Sequence, residues 1–462
     1  MARTIFCGID LGTTNTKAVL IGRDGNLVET ENISAPQKKA DADITDWYKC
    51  FCDILDRLAA KGYFSDSNIV CSITAQGGSF VLLDEKFAPA SRVYSWTENA
   101  SNDAVQSLIN SIGSLPYYHL TGWEPDSWLM ACKLKDLVSK KQFPENARYI
   151  STVPEFIFSQ LLGEFVTDIT NAQITGLCDF QNARWDEKIL NWVGVDNTFL
   201  PHITDSLSII FDKVQTKWGK ISFATSSHDQ YAAMQTAGLE NDKDVMLGTG
   251  TAWVINGRNS KPLFDDKNFI SHPGKDLFEN CFGNIIITGT IVGHIGKGLD
   301  DLLEQCDIDK LSLAQIEKSF GQEHLPDEAI DIDFLKGTAL SGYESPLAVR
   351  RYMEGTASLI AFLLEQFQPE ENSSRVIMSG GAVAGGFWPQ VIADLCDTTV
   401  DTIIFPEFTA YGAALYAKSA FESERCDSRL LEIAETRKYE PMYANQYQHW
   451  YRQYQKPMFK ET

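Results

Sequence analysis

The chain has 462 residues and a formal net charge of −22, with 44% apolar and 22% charged residues. This length is too great for one ordinary hydrophobic core and predicts two domains, while the composition excludes a disordered chain. The strong negative charge argues against nucleic acid and against an anionic membrane surface as partners.

Three features of the sequence predict a cytoplasmic protein. Its ten cysteines are scattered, mostly within apolar runs, which is typical of reduced and buried thiols. The residues that follow Met1 form a strand pattern rather than a signal peptide. No apolar run approaches the roughly 20 residues that a membrane-spanning helix needs.

The first elements predict an antiparallel meander. Residues 4–10 are typical of a buried strand, a turn of small residues follows, and residues 17–21 continue as a second strand. A hairpin turn at residues 23–26 leads into a third strand at residues 27–31. This is not a Walker phosphate loop, because Lys17 falls in a strand and no Gly-Lys-Ser/Thr motif precedes a helix.

A second hairpin of the same construction is predicted near the middle of the chain. Residues 244–247 are typical of a strand, residues 248–250 of a tight turn, and residues 251–255 of the returning strand, with another hairpin turn at residues 256–257. Two such units indicate two domains of one construction. We place the boundary near residues 238–244, which divides the chain into residues 1–240 and 241–462.

Strand and helix patterns alternate in the rest of the chain and predict an α/β fold. The predicted strands lie at residues 68–74, 80–83 and 375–378, and the predicted helices at residues 126–137 and 346–367. Ser226 or Ser227 can cap a further helix that ends at Gly238. The tail after Lys438 has no predicted role.

Asp10 ends a buried strand, directly before a turn of glycine and hydroxyl residues. A buried carboxylate is costly unless it meets a cation or several hydrogen-bond donors. It could face magnesium, while the turn brings backbone N–H groups and hydroxyls to phosphate oxygens. The same residue types also make an ordinary hairpin turn. The second Gly-Thr turn favours the phosphate interpretation, since a triphosphate that spans two domains can use one turn from each.

Asp229 lies in the first turn of the predicted helix that ends at Gly238. Acidic residues stabilise many first turns, so this placement has a purely structural explanation as well. In the functional interpretation, Asp229 is a general base that accepts the proton of an attacking hydroxyl. A weak carboxylate base is sufficient, because phosphoryl transfer passes through a loose transition state.

Together these motifs resemble the FGGY family of carbohydrate kinases over nearly the whole chain. The matching segments are residues 8–17, 75–78, 96–98, 167–172 with 185–186, 228–229, 248–250, 380–384 with 392–395, and 411–417. Each segment alone is weak evidence for the family, but the order and separation of the segments make the whole set specific to it. The resemblance implies two ribonuclease-H-like α/β domains, of the actin and hexokinase ATPase type, that flank a central cleft where ATP and sugar meet.

The resemblance also implies a role for each matching position. Asp10 would be the metal-associated carboxylate and Asp229 the catalytic base. The nucleotide-binding residues would be Gly12, Thr13, Thr14, Asn15, Gly248, Thr249, Gly250, Thr251 and Gly289, with Gly380, Gly381 and Ala382 against adenosine. The candidate sugar contacts are Gln76, Gly77, Gly78, Trp96, Glu98 and His228.

The substrate side departs from the family pattern. Gln76, Gly77 and Gly78 lie where pentulose kinases often carry Gln-Met-His-Gly. Ala100 stands where many members have an arginine, and Gly385 stands where glycerol kinases commonly have an asparagine. The lack of an evident arginine pair argues against an acidic substrate such as gluconate. These departures leave the substrate open.

We therefore expect a kinase that uses ATP and Mg²⁺ to phosphorylate a small sugar or polyol, above all a ketose as in xylulokinases. Closure of the domains on sugar binding is expected, because open water would compete as acceptor. A homodimer is compatible with the sequence. Two alternatives stay open: an actin-like or chaperone-like ATPase with a protein partner, and a family member that binds sugar without turnover.

Overall fold

The computed structural model describes residues 3–12, 15–35, 43–239, 243–250, 252–259, 261–278, 286–293, 295–308, 313–320, 326, 328–330, 345–367 and 375–461. Three of the predicted nucleotide-binding residues, Thr13, Thr14 and Thr251, lie outside the described residues.

The strands are, in chain order, β1 (Arg3–Leu11), β2 (Asn15–Ile21), β3 (Leu27–Ser34), β4 (Ser67–Ala75), β5 (Val81–Leu83), β6 (Tyr149–Ser151), β7 (Val166–Asp168), β8 (Cys178–Asp179), β9 (Arg184–Trp185), β10 (His202–Thr204), β11 (Ile209–Thr216), β12 (Gly219–Ala224), β13 (Ser227–His228), β14 (Asp244–Thr249), β15 (Trp253–Asn259), β16 (His272–Lys275), β17 (Ile286–Gly293), β18 (Arg375–Gly380), β19 (Thr399–Ile404) and β20 (Glu435–Tyr439).

The α-helices are α1 (Ile44–Ala60), α2 (Asn102–Ser111), α3 (Ser114–Thr121), α4 (Met130–Ser139), α5 (Val153–Leu162), α6 (Ile169–Ile174), α7 (Glu187–Val193), α8 (Asp229–Ala237), α9 (Ile295–Gln305), α10 (Leu313–Ser319), α11 (Ser345–Phe367), α12 (Phe387–Cys396), α13 (Phe408–Glu422), α14 (Leu430–Ile433), α15 (Ala444–Trp450) and α16 (Lys456–Glu461). Short 3₁₀ turns lie at Asn197–Phe199 and Gly381–Val383, and a π-helical turn lies at Tyr451–Gln455. None of the described helices is long and apolar enough to cross a membrane.

The chain divides into two compact units that are not simply its two halves. Unit 1 comprises Met1–Gly238, Ser260–Ile287 and Glu407–Arg429, and unit 2 comprises Leu239–Asn259, Thr288–Pro406 and Leu430–Thr462. The predicted division after residue 240 lies two residues beyond the first change of unit, which comes after Gly238, and two later segments return to unit 1. Local sequence patterns do not reveal such returns, because they do not specify the sheet against which an element packs.

Unit 1 is built on a mixed sheet with the strand order β11-β12-β4-β1-β2-β3, and β13 also pairs with β4. The predicted meander is confirmed, since β1, β2 and β3 are antiparallel neighbours. β4 runs parallel to β1, and β13 runs parallel to β4. Apolar side chains of β1 and β4 pack against α1 through buried residues such as Trp47 and Phe51. Because β1, β4 and β13 run in the same direction, their carboxyl ends lie at the same end of the sheet.

Unit 2 contains a sheet in which the strands β17-β15-β14-β18-β19-β20 are neighbours in that order. β14 and β15 form the predicted hairpin, whereas β14, β18 and β19 are parallel. The hairpin turn predicted at residues 256–257 is wrong, because Asn256 and Gly257 lie within β15 opposite Met246 and Val245. Pairing along the full length of β14 overrides the local turn preference of Asn-Gly.

The tail after Lys438 is an integral part of unit 2. The Tyr447 hydroxyl donates to the buried Glu354 carboxylate at 3.1 Å, and the Trp450 indole N–H donates to the Glu328 carbonyl at 2.8 Å. Both side chains are buried. The backbone N–H groups of Met442 and Tyr443 donate to Asp394 in α12. These contacts close one face of the unit 2 core.

Candidate active site

Asp10 lies near the end of β1 and faces the first Gly-Thr turn. Its cross-strand partners are Lys17 in β2 and Thr74 in β4. A Cβ built on Gly12 would stand 3.7 and 3.8 Å from the two Asp10 carboxyl oxygens, so the carboxylate and the start of the turn are adjacent. The Gly12 N–H donates to the Asn15 carbonyl at 3.2 Å, which closes the turn.

Asp229 is the first residue of α8, directly after β13. Because β13 and β1 both pair with β4, the two strands are separated by two strand spacings, roughly 10 Å. His228 occupies the N-cap position of α8, so the prediction that Ser226 or Ser227 caps this helix is wrong. Ser227 instead pairs with Thr74 in the sheet, and the Ser226 hydroxyl donates to the buried Asp168.

Asp10 and Asp229 form a pair of recessed carboxylic acids. Asp10 is 9% exposed, and burial together with the charge of Asp229 raises its pKa to about 7, against the opposing influence of Lys17. Burial also raises the pKa of Asp229 to about 7, although the Gln230 N–H donates to it, and its side chain keeps 29% of its surface accessible. Two such acids hold protons more strongly than usual and favour a neighbouring cation.

His228 lies beside Asp229 as a neutral ring. Its Nε2 is 3.2 Å from Oδ1 of Asp229. Burial lowers the pKa of His228 to about 4, even though the charge of Asp168 acts in the opposite direction. At neutral pH the imidazole is therefore uncharged, and it contacts the Asp229 carboxylate without placing a positive charge beside it.

Three predicted sugar-contact residues, Gln76, Gly77 and Gly78, directly follow β4. Gln76 is 4% exposed, and neither its amide N nor its amide O has a hydrogen-bond partner among the residues that the structure describes. A Cβ on Gly77 would stand 2.5 Å from the His228 ring, and a Cβ on Gly78 would stand 3.2 Å from Cβ of Trp96. The two glycines therefore let the backbone pass close to the His228 ring and to Cβ of Trp96.

Glu98 is held by an arginine that the family motif does not indicate. Both of its carboxylate oxygens accept from Arg92, at 2.7 and 2.6 Å, and this pairing lowers the pKa of Glu98. Lys133 donates to the Ser95 carbonyl at 2.7 Å and supports the same loop. The family pattern places the arginine after the tryptophan, at Ala100, and therefore does not reveal Arg92, which precedes Trp96.

An aromatic cluster next to Gly78 is a second feature that the sequence motifs do not indicate. Trp128 would stand 3.8 Å from a Cβ on Gly78, and Trp123 packs edge-on against Trp128 at 5.1 Å between ring centroids. His272, from the segment that returns to unit 1, stacks on Trp123 at 4.7 Å. The helix predicted over residues 126–137 includes Trp128, but α4 begins only at Met130 and Trp128 lies in the preceding turn.

The nucleotide residues predicted in the second half lie partly together in unit 2. The Thr249 hydroxyl donates to the Ser379 carbonyl at 2.7 Å and accepts from the Ala382 N–H at 3.3 Å. Gly380 has φ = +109°, and a Cβ there would stand 2.6 Å from the Thr249 carbonyl oxygen, so only glycine fits without strain. The turn at Gly248, Thr249 and Gly250 therefore adjoins the loop formed by Gly380, Gly381 and Ala382.

Gly289 occupies a different kind of position. It lies within β17, where a Cβ would stand 2.9 Å from the side-chain oxygen of Asn256. Asn256 pairs with Met246, three residues before Thr249 on β14. Gly289 is thus beside the middle of the β14–β15 hairpin rather than at its turn.

Replacing Asp10 with asparagine is expected to stabilise the protein above neutral pH. A carboxyl group whose folded pKa is about 7, against an ordinary value of 3.8, binds more protons when folded, so its contribution to the free energy of unfolding falls as pH rises between those values. We expect the variant to gain about 2–4 kcal/mol at pH 8 and less than half of that at pH 5, where only part of the window between the two pKa values has been crossed. Urea unfolding at both pH values measures this; an equal or negative change at pH 8 would contradict it.

Comparison with known proteins identifies the family. The model of the FGGY family of carbohydrate kinases, N-terminal domain, matches residues 5–235, and the C-terminal domain model matches residues 245–421. A glycerol kinase of Thermococcus gammatolerans is 23% identical over 90% of this chain and 88% of its own length. Among solved structures, gluconate kinase from Lactobacillus acidophilus has a TM-score of 0.84 at 19% identity, covering 99% of this chain and 97% of that one.

A ligand-bound xylulose kinase from the same organism has a TM-score of 0.82, also at 19% identity, and covers 99% of this chain and 97% of that one. The expected α/β fold of the actin and hexokinase ATPase type is confirmed by these likenesses. The three similar proteins are named for three different acceptors, so likeness alone leaves the substrate open. The chain belongs to the FGGY family of carbohydrate kinases, phosphotransferases whose acceptor is an alcohol group.

Proposed function

We propose that the protein transfers the γ-phosphoryl group of ATP, as its Mg²⁺ complex, to a hydroxyl of a small neutral sugar or polyol, with Asp229 as the general base. The observation that carries this proposal is the pair of recessed acids, Asp10 and Asp229, together with the buried amide of Gln76, which has no hydrogen-bond partner among the described residues. A buried amide without partners is costly, and a hydroxyl-rich ligand would satisfy it.

The chemistry of Asp229 suits a base that works near neutral pH. A catalytic base is most effective when its pKa lies close to the working pH, and burial raises the pKa of Asp229 to about 7. The neutral ring of His228 lies beside one carboxylate oxygen, and the other oxygen would meet the substrate hydroxyl. The proton of that hydroxyl would pass to Asp229 as its oxygen attacks the phosphorus.

Asp10 suits a magnesium ion that arrives with the nucleotide. Mg²⁺ usually takes one or two carboxylates together with phosphate oxygens and water, and Asp10 offers one recessed carboxylate next to the Gly12 turn. The ion would neutralise charge that develops on the transferred phosphoryl group. In unit 1, Gly12 and Asn15 would hold phosphate oxygens. Within unit 2, the turn at 248–250 and the adjoining loop at 380–382 would be nucleotide-binding.

The surroundings of Gln76 favour a neutral substrate. An amide both donates and accepts, which suits hydroxyl and carbonyl groups. The side chains of Trp96 and Trp128 lie near Gly78 and would supply apolar contacts to the carbon skeleton of a sugar. A substrate carboxylate would approach Asp10 and Asp229 against their charge. Among neutral substrates we favour a ketose, on the resemblance to xylulokinases.

A cytoplasmic location and a homodimer stay predictions.

A substrate panel tests this proposal. The rate of ADP release would be measured in a coupled enzyme assay with MgATP. The assay would be repeated with glycerol, xylulose, other ketoses and gluconate, one compound at a time. We expect one neutral compound to accelerate ADP release by about 10²-fold or more over the sugar-free rate, and gluconate to have little effect. A preference for gluconate would contradict the neutral-substrate proposal. A rate that no small molecule changes would favour an ATPase with a protein partner.

A further inference from the structure

The backbone that leads to Asp229 is held by side-chain hydroxyls where the sheet is interrupted. β12 pairs with β4 up to Phe223, opposite Cys71, and pairing resumes only at Ser227, opposite Thr74. Across this gap the Ser72 hydroxyl donates to the Thr225 carbonyl at 2.8 Å, and the Thr74 hydroxyl donates to the Ser227 carbonyl at 2.9 Å. Both hydroxyls are buried.

Residues at the start of α6 also form hydrogen bonds with the segment that leads to Asp229. The N-cap residue Asp168 accepts from the Ser226 hydroxyl at 2.8 Å and from the Thr170 hydroxyl at 2.5 Å. The Thr170 oxygen in turn accepts from the backbone N–H of His228 at 2.8 Å. Thr170 is 1% exposed, so water is poorly placed to replace its hydroxyl.

The Thr170 hydroxyl contacts the backbone of His228, the residue that joins β13 of the sheet to α8. His228 is both the last residue of β13 and the N-cap of α8, and Asp229 follows it directly. Thr74 is the register partner of Ser227 and also of Asp10, so the position of β13 along β4 sets the separation of the two acids. A shift at His228 would change that separation and the contact between His228 and Asp229.

We propose that Thr170 is a positioning residue for phosphoryl transfer, whose hydroxyl fixes the His228 backbone and through it the carboxylate of Asp229. This inference rests on the proposed function of Asp229 as the base. Thr170 touches neither reacting group, so its effect should appear in the rate of the chemical step and not in substrate binding.

Three variants separate positioning from stability. Thr170→Val removes the hydroxyl at nearly constant volume, and Thr170→Ser restores it. Thr167→Val is the matched control, because Thr167 is a buried hydroxyl of the same segment that donates to Glu155 and not to residues 225–229. We expect Thr170→Val to lower kcat by about 10–10²-fold with both KM values within about threefold of the wild type, and Thr170→Ser to recover most of the loss. The control should lower Tm comparably and leave kcat within about threefold.

Amide hydrogen exchange at His228 gives a measurement that needs no substrate. Its N–H should exchange faster in Thr170→Val and at the wild-type rate in Thr167→Val. The inference would be overturned if His228 exchange is unchanged in Thr170→Val, if kcat stays within about threefold of the wild type, or if the control loses as much activity as Thr170→Val. A further outcome is that the wild type phosphorylates no sugar while His228 still exchanges faster in Thr170→Val. In that case the hydrogen bond from the His228 N–H to Thr170 is real, but its catalytic role and the proposed function both fail.

Discussion

Asp229→Asn is expected to lower kcat by about 10³-fold or more while the fold is retained. The asparagine side chain keeps the size and the contact with His228, but it cannot accept a proton, and general base catalysis commonly contributes about 10²–10⁴-fold. Because the variant also removes a buried acid with a raised pKa, it should unfold at an equal or higher temperature than the wild type at pH 8. Steady-state kinetics and thermal unfolding measure the two effects.

A matched control for this variant is Asp103→Asn. Asp103 also lies in the first turn of a helix, α2, but it is exposed on the protein surface. Its replacement should leave kcat unchanged. ATP binding, measured by calorimetry, should survive in Asp229→Asn because the base is proposed to act on the sugar hydroxyl. Near-normal turnover in Asp229→Asn would remove this residue from the mechanism.

Gly412→Ala is expected to destabilise the protein strongly, although it adds only one methyl group. α13 packs so closely on α8 that a Cβ at Gly412 would overlap the Ala232 carbonyl oxygen and stand 2.7 Å from the Thr236 hydroxyl oxygen. The same helix touches β1, where a Cβ on Gly8 would stand 2.9 Å from the Ala413 carbonyl carbon. Alanine would force apart two backbones, at a cost of about 3 kcal/mol or more in the free energy of unfolding.

The predicted loss of stability in Gly412→Ala is opposite in sign to the usual effect of this substitution. In an unconstrained helix, replacing glycine with alanine stabilises by about 1 kcal/mol. Asn110→Ala, on the exposed face of α2, serves as the control and should not lower stability. Since α8 begins with Asp229, any Gly412→Ala protein that folds should also show reduced kcat. Urea unfolding that shows a gain in stability would mean that α13 does not pack on α8 as described.

Local pattern is sufficient to predict the elements that carry the two Gly-Thr turns. β1, β2 and β3 alternate strands with glycine-rich turns over short distances, and β14 repeats the arrangement. The long apolar periodicity of α11 is equally clear. The wrong predictions fall where tertiary pairing overrides a local preference. Residues 256–257 have a strong turn signal but lie in β15, and Ser226 is a good capping residue but donates to Asp168 instead.

The candidate site is predictable only as far as its residues lie in short motifs. Asp10 lies near the end of β1 and Gln76 follows β4, and a local pattern finds both of these strands. Asp229 is found through its predicted helix, and the pairing of β1 and β13 with β4 sets its place relative to Asp10. Arg92 and His272 cannot be found in this way. Arg92 stands on the unexpected side of Trp96, and His272 reaches Trp123 from about 150 residues later in the chain, a contact that no local pattern encodes.

³¹P NMR of the reaction tests phosphoryl transfer to a sugar hydroxyl most directly. With MgATP and the neutral sugar that best stimulates ADP release, we predict a new phosphomonoester resonance that grows in step with ADP and is absent from the Asp229→Asn reaction. Formation of inorganic phosphate in place of a sugar phosphate, at a rate that no sugar alters, would contradict the account.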